Sequence, residues 1–367
     1  MGQALHVAIN GLSLPNRSGT GRVVEGLLDG LSRIEVSGIH WDVFLSRGAE
    51  IKPDWARANH LEFHCVGPVG TAYRVAWEQI VLPRWVRHRG YQVLHSPAFV
   101  APVYGLGDTL SVVTVHDLAF LRFPETVRWE RRVYYHWAIL SSTRTAELIL
   151  TDSESIRDEL LTTGTPGEQV KVLPLGVGDR FFSVSDEAIR RVRQRFNLPD
   201  HYLLTVGTVE PRKNLDTLLT VFHRTKDIPP FVIAGRLGWG CGFLRDALHD
   251  KQTRSRVCYL NHVPEEDLPG LYAGADAFLA PSRYEGFGLT VLEAMAAGCR
   301  VIASDIPAHR EIGGDCVRYV KPTDSDDWTA AITGALCNMD RHLAVERARA
   351  FSWVRHADEY ARILKSM

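Results

Sequence analysis

The chain has 367 residues, 45% of them hydrophobic and 23% charged, which is enough for two domains that each bury a core. Its 42 basic and 43 acidic residues give a formal net charge of −1, so no global basic field attracts nucleic acid. No run approaches the roughly 20 apolar residues that a membrane-spanning helix needs, residues 1–11 lack the pattern of a secretory leader, and the six cysteines form no C-x-x-C pair. We therefore expect a cytoplasmic protein with buried, reduced thiols.

Short apolar runs that alternate with helical patterns predict a parallel sheet, covered by helices on both faces, in the first half of the chain. The predicted strands are residues 5–9, 41–45, 93–95, 111–115, 148–150 and 170–173. Gly19, Thr20 and Gly21 precede the first long helix, too far from the first strand for a dinucleotide-binding fingerprint. We expect a flexible loop there that faces a ligand; the alternative is an ordinary helix-entry loop.

A histidine follows the apolar run of a predicted central strand, in the stretch Val115-His116-Asp117-Leu118. Ligands of open α/β sheets bind at the carboxyl ends of strands, so we expect His116 to point into a binding crevice. The alternative is a structural histidine whose hydrogen bonds are satisfied inside the protein. Asp117 either orients the imidazole ring or caps the next loop.

Residues 74–144 combine nine arginines and five acidic residues with interleaved tryptophans and tyrosines. Such a combination at helical spacing suits the surface of an anionic bilayer, where each nearby cation contributes on the order of 1 kcal/mol. The alternative is a solvated face with tryptophans in the core. The first interpretation predicts peripheral binding to the inner leaflet of a membrane.

A second doubly wound domain is predicted from a further series of apolar runs. Its strands are residues 202–206, 231–234, 257–260, 277–280 and 301–303. A proline- and glycine-rich link at residues 174–179 places the two domains at residues 1–176 and 177–350. Residues 351–367 have the pattern of an amphipathic helix.

Two adjacent cations, Arg212 and Lys213, lie in the tight loop after the strand that ends at Val206. Asn214 is a good N-cap for the helix that follows. A loop at the carboxyl end of a strand faces the ligand crevice, where the fork of an arginine and the point charge of a lysine both suit a diphosphate. The alternative is that both cations are merely solvated.

The most informative stretch, residues 282–298, predicts a glycine-rich turn followed by a helix. The turn contains Glu285, and the helix contains Glu293 eight residues later. Backbone N–H groups at the start of a helix suit an anion such as phosphate, and carboxylates suit hydroxyl groups. A nucleotide sugar offers both. The alternative is a buried turn whose glutamate caps the helix or pairs with an arginine.

This stretch resembles the Glu-x7-Glu signature of the retaining glycosyltransferases of family 4, with Gly-Phe-Gly between the glutamates and Glu-Ala-Met-Ala-Ala-Gly from the second one onward. The resemblance covers nearly the whole chain and implies the GT-B fold, in which two Rossmann-like doubly wound domains face a central cleft. It also implies that residues 351–367 form a helix that crosses back to the first domain. The implied activity is transfer of a hexose from a nucleoside diphosphate sugar to a glycan hydroxyl.

The resemblance implies roles for individual residues. The implied catalytic residues are His116 and Glu285 beside the donor sugar and Lys213 at the diphosphate, with no general base assigned. Many members have an arginine where this chain has Thr208, so Arg212 is the candidate for the second positive charge. The implied substrate-binding residues are Gly19, Thr20, Gly21, Thr208, Arg212, Val263 at the base, Gly286, Phe287, Gly288, Leu289 and Glu293 at the ribose.

Within the family, Gly-Thr-x-Glu-Pro-Arg-Lys-Asn and Val-His-Asp-Leu look most like bacterial mannosyl- and rhamnosyltransferases of surface polysaccharides such as lipopolysaccharide O-antigen. That likeness implies GDP-mannose as donor, a lipid-linked or polysaccharide glycan as acceptor, and peripheral contact with the inner membrane. The acidic run 324–327 has Asp-x-Asp spacing, but it opens a late helix and follows no predicted strand, unlike the metal motif of other transferases. We therefore expect neither a metal ion nor a cofactor. The alternatives are a UDP-sugar transferase, a nucleotide-sugar 2-epimerase or an inverting transferase, and a non-catalytic scaffold.

Overall fold

The computed structural model describes residues 4–15, 19–67, 70–124, 129–334 and 339–367. Part of the arginine-rich stretch, residues 125–128, and Cys337 lie outside these ranges. The chain forms two compact units: the N-terminal unit, Met1–Gly176 with Phe351–Met367, and the C-terminal unit, Val177–Ala350. Within the described ranges, no helix is both long and apolar enough to cross a bilayer. Cys241 and Cys299 are buried free thiols, whereas Cys65 is an exposed one.

The N-terminal unit is built on a seven-stranded, all-parallel sheet with the order β3-β2-β1-β4-β5-β6-β7. Its strands are β1 Leu5–Asn10, β2 Ile39–Ser46, β3 Leu61–Gly67, β4 Val93–Ser96, β5 Leu110–Val115, β6 Leu148–Thr151 and β7 Val170–Val172. The sequence analysis missed β3. This strand lies at the edge of the sheet, and Glu62 and His64 interrupt its apolar residues, so it has no continuous hydrophobic run.

Eight helices of the N-terminal unit are described. They are α1 Gly19–Leu31, α2 Pro53–Arg57, α3 Thr71–Ala76, α4 Leu82–His88, α5 Ala119–Arg122, α6 Trp129–Thr145, α7 Glu154–Thr162 and α17 Trp353–Lys365. A π-helical turn, Trp77–Val81, joins α3 to α4, and a 3₁₀ turn, Gly167–Gln169, precedes β7. The predicted flexible loop at Gly19, Thr20 and Gly21 was wrong, because these residues form the first turn of α1.

Helix α17 belongs to the N-terminal unit because it packs on α1. Two glycines of α1 allow the close approach. A Cβ atom on Gly26 would lie 2.0 Å from the Trp353 indole, and one on Gly30 would lie 2.1 Å from the Trp353 carbonyl oxygen. The apolar stripe of α17 includes Tyr360 and Leu364, which join the core cluster under the sheet. The helix therefore contributes to the core on that side.

The C-terminal unit contains a six-stranded parallel sheet with the order β10-β9-β8-β11-β12-β13. Its strands are β8 Leu203–Val206, β9 Phe231–Ala234, β10 Val257–Leu260, β11 Ala277–Ala280, β12 Val301–Ser304 and β13 Arg318–Val320. Its described α-helices are α8 Asp186–Phe196, α9 Leu215–Arg224, α10 Gly242–His249, α11 Lys251–Arg254, α12 Leu268–Ala273, α13 Leu289–Ala296, α14 Pro307–Gly313, α15 Ser325–Thr333 and α16 Arg341–Ala348. The 3₁₀ turns are Asp179–Phe181, Pro211–Lys213 and Gly314–Cys316.

The sequence analysis also missed strand β13. This strand begins with an exposed arginine and buries only Val320, so it has no apolar run. The helix after β10, α12, begins at Leu268. A turn precedes it, closed by the N–H of Asp267 donating to the carbonyl of Pro264 at 3.0 Å.

Strand order changes direction at one point in each sheet, between β1 and β4 in the N-terminal unit and between β8 and β11 in the C-terminal unit. Ligands of doubly wound sheets bind at such a switch point, beyond the carboxyl ends of the strands. In the C-terminal unit, the loops that follow β8 and β11 contain Lys213 and Glu285. The topology therefore brings together two motifs that are distant in sequence.

Candidate active site

A close approach of two glycines shapes the loop after β8. Gly207 and Gly235 both have positive φ angles, 142° and 152°. A Cβ atom on Gly235 would lie 1.9 Å from the carbonyl oxygen of Gly207, so no larger residue fits there without moving the backbone. The loops after β8 and β9 are therefore in direct contact. The neighbouring Arg236 side chain is exposed, as expected for a solvated arginine.

Glu285 is the centre of a group of charged side chains. Lys213 Nζ donates to its Oε1 at 2.5 Å, and Arg212 Nη1 donates to its Oε2 at 2.9 Å. The Ser282 hydroxyl donates to Oε1 at 2.6 Å. Arg212 also bonds the carboxylate of Glu210 at 2.8 Å. Both cations of the predicted pair are therefore bonded to carboxylates and are not simply solvated.

The electrostatics of this group keep Glu285 ionised. Burial by itself would raise the pKa of the Glu285 carboxyl, but the charges of Lys213 and Arg212 outweigh burial and hold that pKa well below its ordinary value. The side chains of Glu285, Lys213 and Arg212 are only 11%, 18% and 17% exposed, so solvent screens them little. Glu285 is thus a carboxylate with hydrogen-bond donors at both oxygens.

Asn214 connects the two loops, but by a different mechanism from the predicted one. It stands at the N-terminal end of α9 with a left-handed backbone, and its side chain makes no N-cap bond to the helix. Its buried amide nitrogen instead donates to the carbonyls of Pro281 and Pro322 at 2.9 and 2.6 Å. Its amide oxygen accepts from Arg283 Nε at 2.8 Å. Asn214 therefore fixes the loop after β8 against the loop after β11.

A recess, here called the Lys213 recess, opens between these loops in the C-terminal unit. Its polar edges come from Thr205, Thr208, Lys213, Ser282 and Thr290, and apolar residues form the rest. Helix α13 starts beside it, after Gly288, whose φ of 105° allows the sharp turn. The first N–H groups of a helix have no partner within that helix, so this end of α13 attracts an anion.

His309 is a neighbour of the glycine turn that the sequence analysis did not single out. It lies on α14, after β12, and it is buried. A Cβ atom on Gly288 would lie 3.2 Å from the His309 ring. Its Nδ1 donates to the Ser304 carbonyl at 3.0 Å, and burial lowers its pKa below the ordinary value although Glu285 opposes this. Its place after the next strand of the sheet was the available signal.

The other predicted residues of the C-terminal unit occupy varied environments. Glu293, on α13, is 2% exposed and accepts a hydrogen bond from the Tyr272 hydroxyl at 3.0 Å. Phe287 is buried in the turn, and Leu289 opens the helix. Val263 is a buried residue in the loop after β10. The structure thus places Thr208 and Lys213 at one recess and bonds Lys213 to Glu285 of the glycine turn. Glu293 lies one helical turn beyond Thr290.

His116, in the N-terminal unit, uses both ring nitrogens inside that unit. Its Nε2 lies 2.7 Å from the Pro97 carbonyl oxygen, and its Nδ1 lies 2.7 Å from the Asp152 carboxylate. A carbonyl oxygen can only accept, so Nε2 bears a proton. Burial lowers the pKa of His116, but the Asp152 carboxylate outweighs burial and raises it above the ordinary value. Both ring nitrogens thus face hydrogen-bond acceptors, an arrangement that favours the protonated ring.

Comparison with known proteins gives consistent results along the chain. Residues 17–180 match the family described as Glycosyltransferase Family 4, and residues 186–350 match Glycosyl transferases group 1. The O-antigen chain mannosyltransferase B of Escherichia coli is 33% identical over 272 residues, which are 71% of this chain and 71% of that protein. The O-antigen chain mannosyltransferase RfbU of Salmonella typhimurium is 28% identical over 224 residues, 60% of this chain and 59% of that protein. Among solved structures, sucrose-phosphate synthase from Thermosynechococcus elongatus has a TM-score of 0.76 at 19% identity, with 99% of this chain and 98% of that one covered.

Proposed function

This chain belongs to the family 4 glycosyltransferases, and from that premise we propose that it transfers mannose from GDP-mannose to a glycan of a growing surface polysaccharide, with retention of configuration. The predicted family and the predicted GT-B fold are confirmed, since the two parallel sheets of seven and six strands are those of that fold. The donor, the stereochemistry and the acceptor are the proposed part.

The observation that best supports this proposal is the group formed by Lys213, Arg212 and Glu285, of which Lys213 lines the recess. In the structure Lys213 is paired with Glu285. We expect the diphosphate of a donor to displace Glu285 as the partner of the Lys213 ammonium, because a phosphate has more negative charge than one carboxylate oxygen. Glu285 would then keep Arg212 and Ser282 as partners and turn its freed Oε1 toward hydroxyls of the donor sugar.

The leaving diphosphate would be stabilised by fixed positive groups. Lys213 supplies a full charge, and the start of α13 supplies N–H groups and the positive end of a helix dipole. Such preorganised donors act where negative charge develops, which is usually the largest contribution to catalysis. Arg212 would act through Glu285, since its guanidinium bridges Glu285 and Glu210. We propose that no metal ion or cofactor is needed for this step.

The remaining donor contacts follow from the positions of Glu293, Val263 and His116. Glu293 lies one turn beyond Thr290 of the recess, and we propose that it binds the ribose while Tyr272 holds one of its oxygens. Val263 is proposed as a neighbour of the base. Since both ring nitrogens of His116 are bonded to Asp152 and Pro97, its backbone carbonyl is the group proposed to contact the sugar. Gly19, Thr20 and Gly21 are proposed to face the diphosphate or acceptor.

Peripheral membrane contact is a further part of the proposal. Some aromatic residues in or next to the arginine-rich stretch 74–144 agree with the core interpretation, and others agree with the membrane interpretation. Trp77 and Trp85 are partly buried and contact each other with ring centroids 6.4 Å apart, as the core interpretation predicts. Tyr73, Tyr104 and Trp137 are instead 75%, 80% and 55% exposed. Exposed aromatic rings near arginines suit the interface of an anionic bilayer, where a lipid-linked acceptor would be held. Sedimentation with vesicles tests this: equal binding to anionic and neutral lipid would contradict it.

The proposed activity is tested by incubating the protein with radiolabelled GDP-mannose, UDP-glucose or ADP-glucose and a membrane extract that supplies acceptors. We expect label from GDP-mannose alone to enter the glycan, because the matched relatives are mannosyltransferases of O-antigen. The stereochemistry of the new bond follows from digestion of the product with α- and β-mannosidases. Transfer from a UDP-sugar would show that GDP-mannose is not the donor. Release of a free epimerised nucleotide sugar would favour the epimerase alternative, and no turnover with any donor would favour a non-catalytic scaffold.

A further inference from the structure

Strands β2 and β3 present two histidines and two carboxylates on one face of the N-terminal sheet. His40 and Asp42 are two positions apart on β2, and Glu62 and His64 are two positions apart on the edge strand β3. Alternate residues of a strand point to the same side, and Asp42 pairs in register with Glu62. The four side chains therefore converge from two neighbouring strands.

We propose that His40, Asp42, Glu62 and His64 form a binding site for one divalent transition-metal ion, zinc in particular. Each histidine lies close to one oxygen of both carboxylates. His40 Nε2 lies 3.9 Å from Glu62 Oε2 and 4.0 Å from Asp42 Oδ2. His64 Nε2 lies 3.7 Å from Glu62 Oε1 and 2.6 Å from Asp42 Oδ1.

Three of these residues already offer one ligand atom each, and these atoms all lie within 4.8 Å of one another: His40, Asp42 and Glu62. Zinc bonds of 2.0–2.1 Å imply ligand atoms about 3.3 Å apart, so the two distances from His40 would contract by about 0.6–0.7 Å. His64 contacts the other oxygen of each carboxylate, and changes of side-chain torsions would bring it to the ion as the fourth ligand.

The chemistry of the four ligands selects the class of ion. Two imidazoles with two carboxylates suit zinc, cobalt, nickel and copper, whereas magnesium and calcium prefer oxygen ligands alone. The surroundings hold the two inner ligands in place. The Tyr91 hydroxyl hydrogen-bonds to Asp42, and the Phe44 ring stacks on His64 with centroids 5.1 Å apart. Outer contacts of this kind orient metal ligands in known sites.

This site does not depend on the proposed transferase function. Asp42 lies four residues before Ser46, the last residue of β2, which is about 13 Å along the strand from the carboxyl edge of the sheet. A bound ion would cross-link the edge strand β3 to β2. Its expected consequence is a more stable N-terminal unit, since a ligand that binds only the folded state raises the stability.

The test uses the untagged full-length protein after treatment with chelator. We expect calorimetry to show one equivalent of zinc bound, a higher Tm with zinc than without it, no such effect of magnesium, and the visible absorption of tetrahedral cobalt when cobalt is added. Glu62→Gln and His40→Ala should weaken zinc binding by more than about tenfold, because each removes a ligand. Both residues are at least partly exposed, so both variants should fold.

His88→Ala is the matched control. His88 is an exposed histidine at the end of α4, and its loss should leave zinc binding unchanged. The proposal is overturned if the wild-type protein binds no zinc, if the two ligand variants bind it as tightly as wild type, or if His88→Ala removes the binding. Mannosyl transfer is measured in parallel on all variants, and its loss or presence bears on the proposed function alone.

Discussion

Glu285 receives hydrogen bonds from three side chains, and its role depends on which of them a donor displaces. Lys213 and Ser282 share one carboxylate oxygen, and Arg212 bonds the other. The pairing with Glu285 holds the Lys213 ammonium close to the position in which it would bind the phosphate, before the donor binds. This preorganisation lowers the cost of assembling the site.

Replacing Lys213 by Ala should lower kcat about 10²- to 10³-fold, because one preorganised positive group at the leaving diphosphate is lost. Glu285→Gln should give a loss of the same order, since an amide cannot pair with both Lys213 and Arg212. Steady-state kinetics with GDP-mannose measures both. Lys226→Ala, which removes an exposed lysine of the same unit, is the control and should keep full activity. Near-normal turnover of either site variant would contradict the assigned roles.

His116 should remain protonated above its ordinary pKa of about 6.5, because Asp152 accepts its Nδ1 proton. A pKa raised by folding gives stability that is complete below pH 6.5 or so and is lost as the pH rises through the folded value. NMR titration of the ring measures that value. Asp152→Asn should bring it below 6.5, since burial, the largest influence on this ring, lowers it. A His116 that titrates at or below 6.5 in the wild type would disprove the imidazolium.

At the scale of elements, close helix packing depends on residues without side chains. Helices α1 and α17 approach until Gly26 and Gly30 touch Trp353. The contact ties together segments near opposite ends of the chain, so the N-terminal unit can complete its core only after α17 is made. The same kind of contact between Gly207 and Gly235 sets the loops at the Lys213 recess.

Gly30→Ala should lower the free energy of unfolding by about 1–3 kcal/mol, because its Cβ would collide with the Trp353 backbone and force α17 outward. Chemical denaturation followed by circular dichroism measures the loss. The same substitution at Gly242, where a Cβ atom meets nothing within 4 Å, is the control. It should be neutral or slightly stabilising, since alanine is the better helix former. Equal stability of the two variants would show that α17 does not pack as described.

In the molecule as a whole, the groups proposed for transfer and the proposed metal site belong to different units. The positive groups proposed to hold the diphosphate are Lys213 and the start of α13, all in the C-terminal unit. The proposed zinc site lies in the N-terminal unit, away from the carboxyl ends of its strands. Transfer and metal binding should therefore respond differently to a chelator.

Prolonged dialysis against EDTA should leave the rate of mannosyl transfer unchanged, because fixed cations and not a metal ion are proposed to stabilise the leaving group. The same treatment should lower the Tm of a zinc-loaded sample. Transfer assays and differential scanning calorimetry on one dialysed batch measure both. Activity that disappeared with EDTA and returned only with a divalent ion would refute the metal-independent mechanism, and the Tm result would be unaffected by that outcome.

Most of both sheets could be predicted from the sequence, because buried parallel strands are continuous apolar runs that periodicity detects. Two of the four edge strands, β3 and β13, could not, whereas the edge strands β7 and β10 were predicted. Glu62 and His64 break the apolar run of β3, and β13 begins with an exposed arginine and buries only Val320. A strand without an apolar run is recognised by the neighbour that it pairs with, and that neighbour is set by the tertiary fold.

For the site, the chemistry of each loop could be predicted from local residue types and spacing: a cation pair after one strand and a carboxylate in a glycine turn after another. Three contacts could not be predicted in this way. Lys213 bonds Glu285 across 72 residues, Asn214 bonds two loops together instead of capping its helix, and His309 contacts the turn. These contacts depend on the strand order. The strand order results from the packing of the whole sheet, and a local sequence pattern does not contain that information.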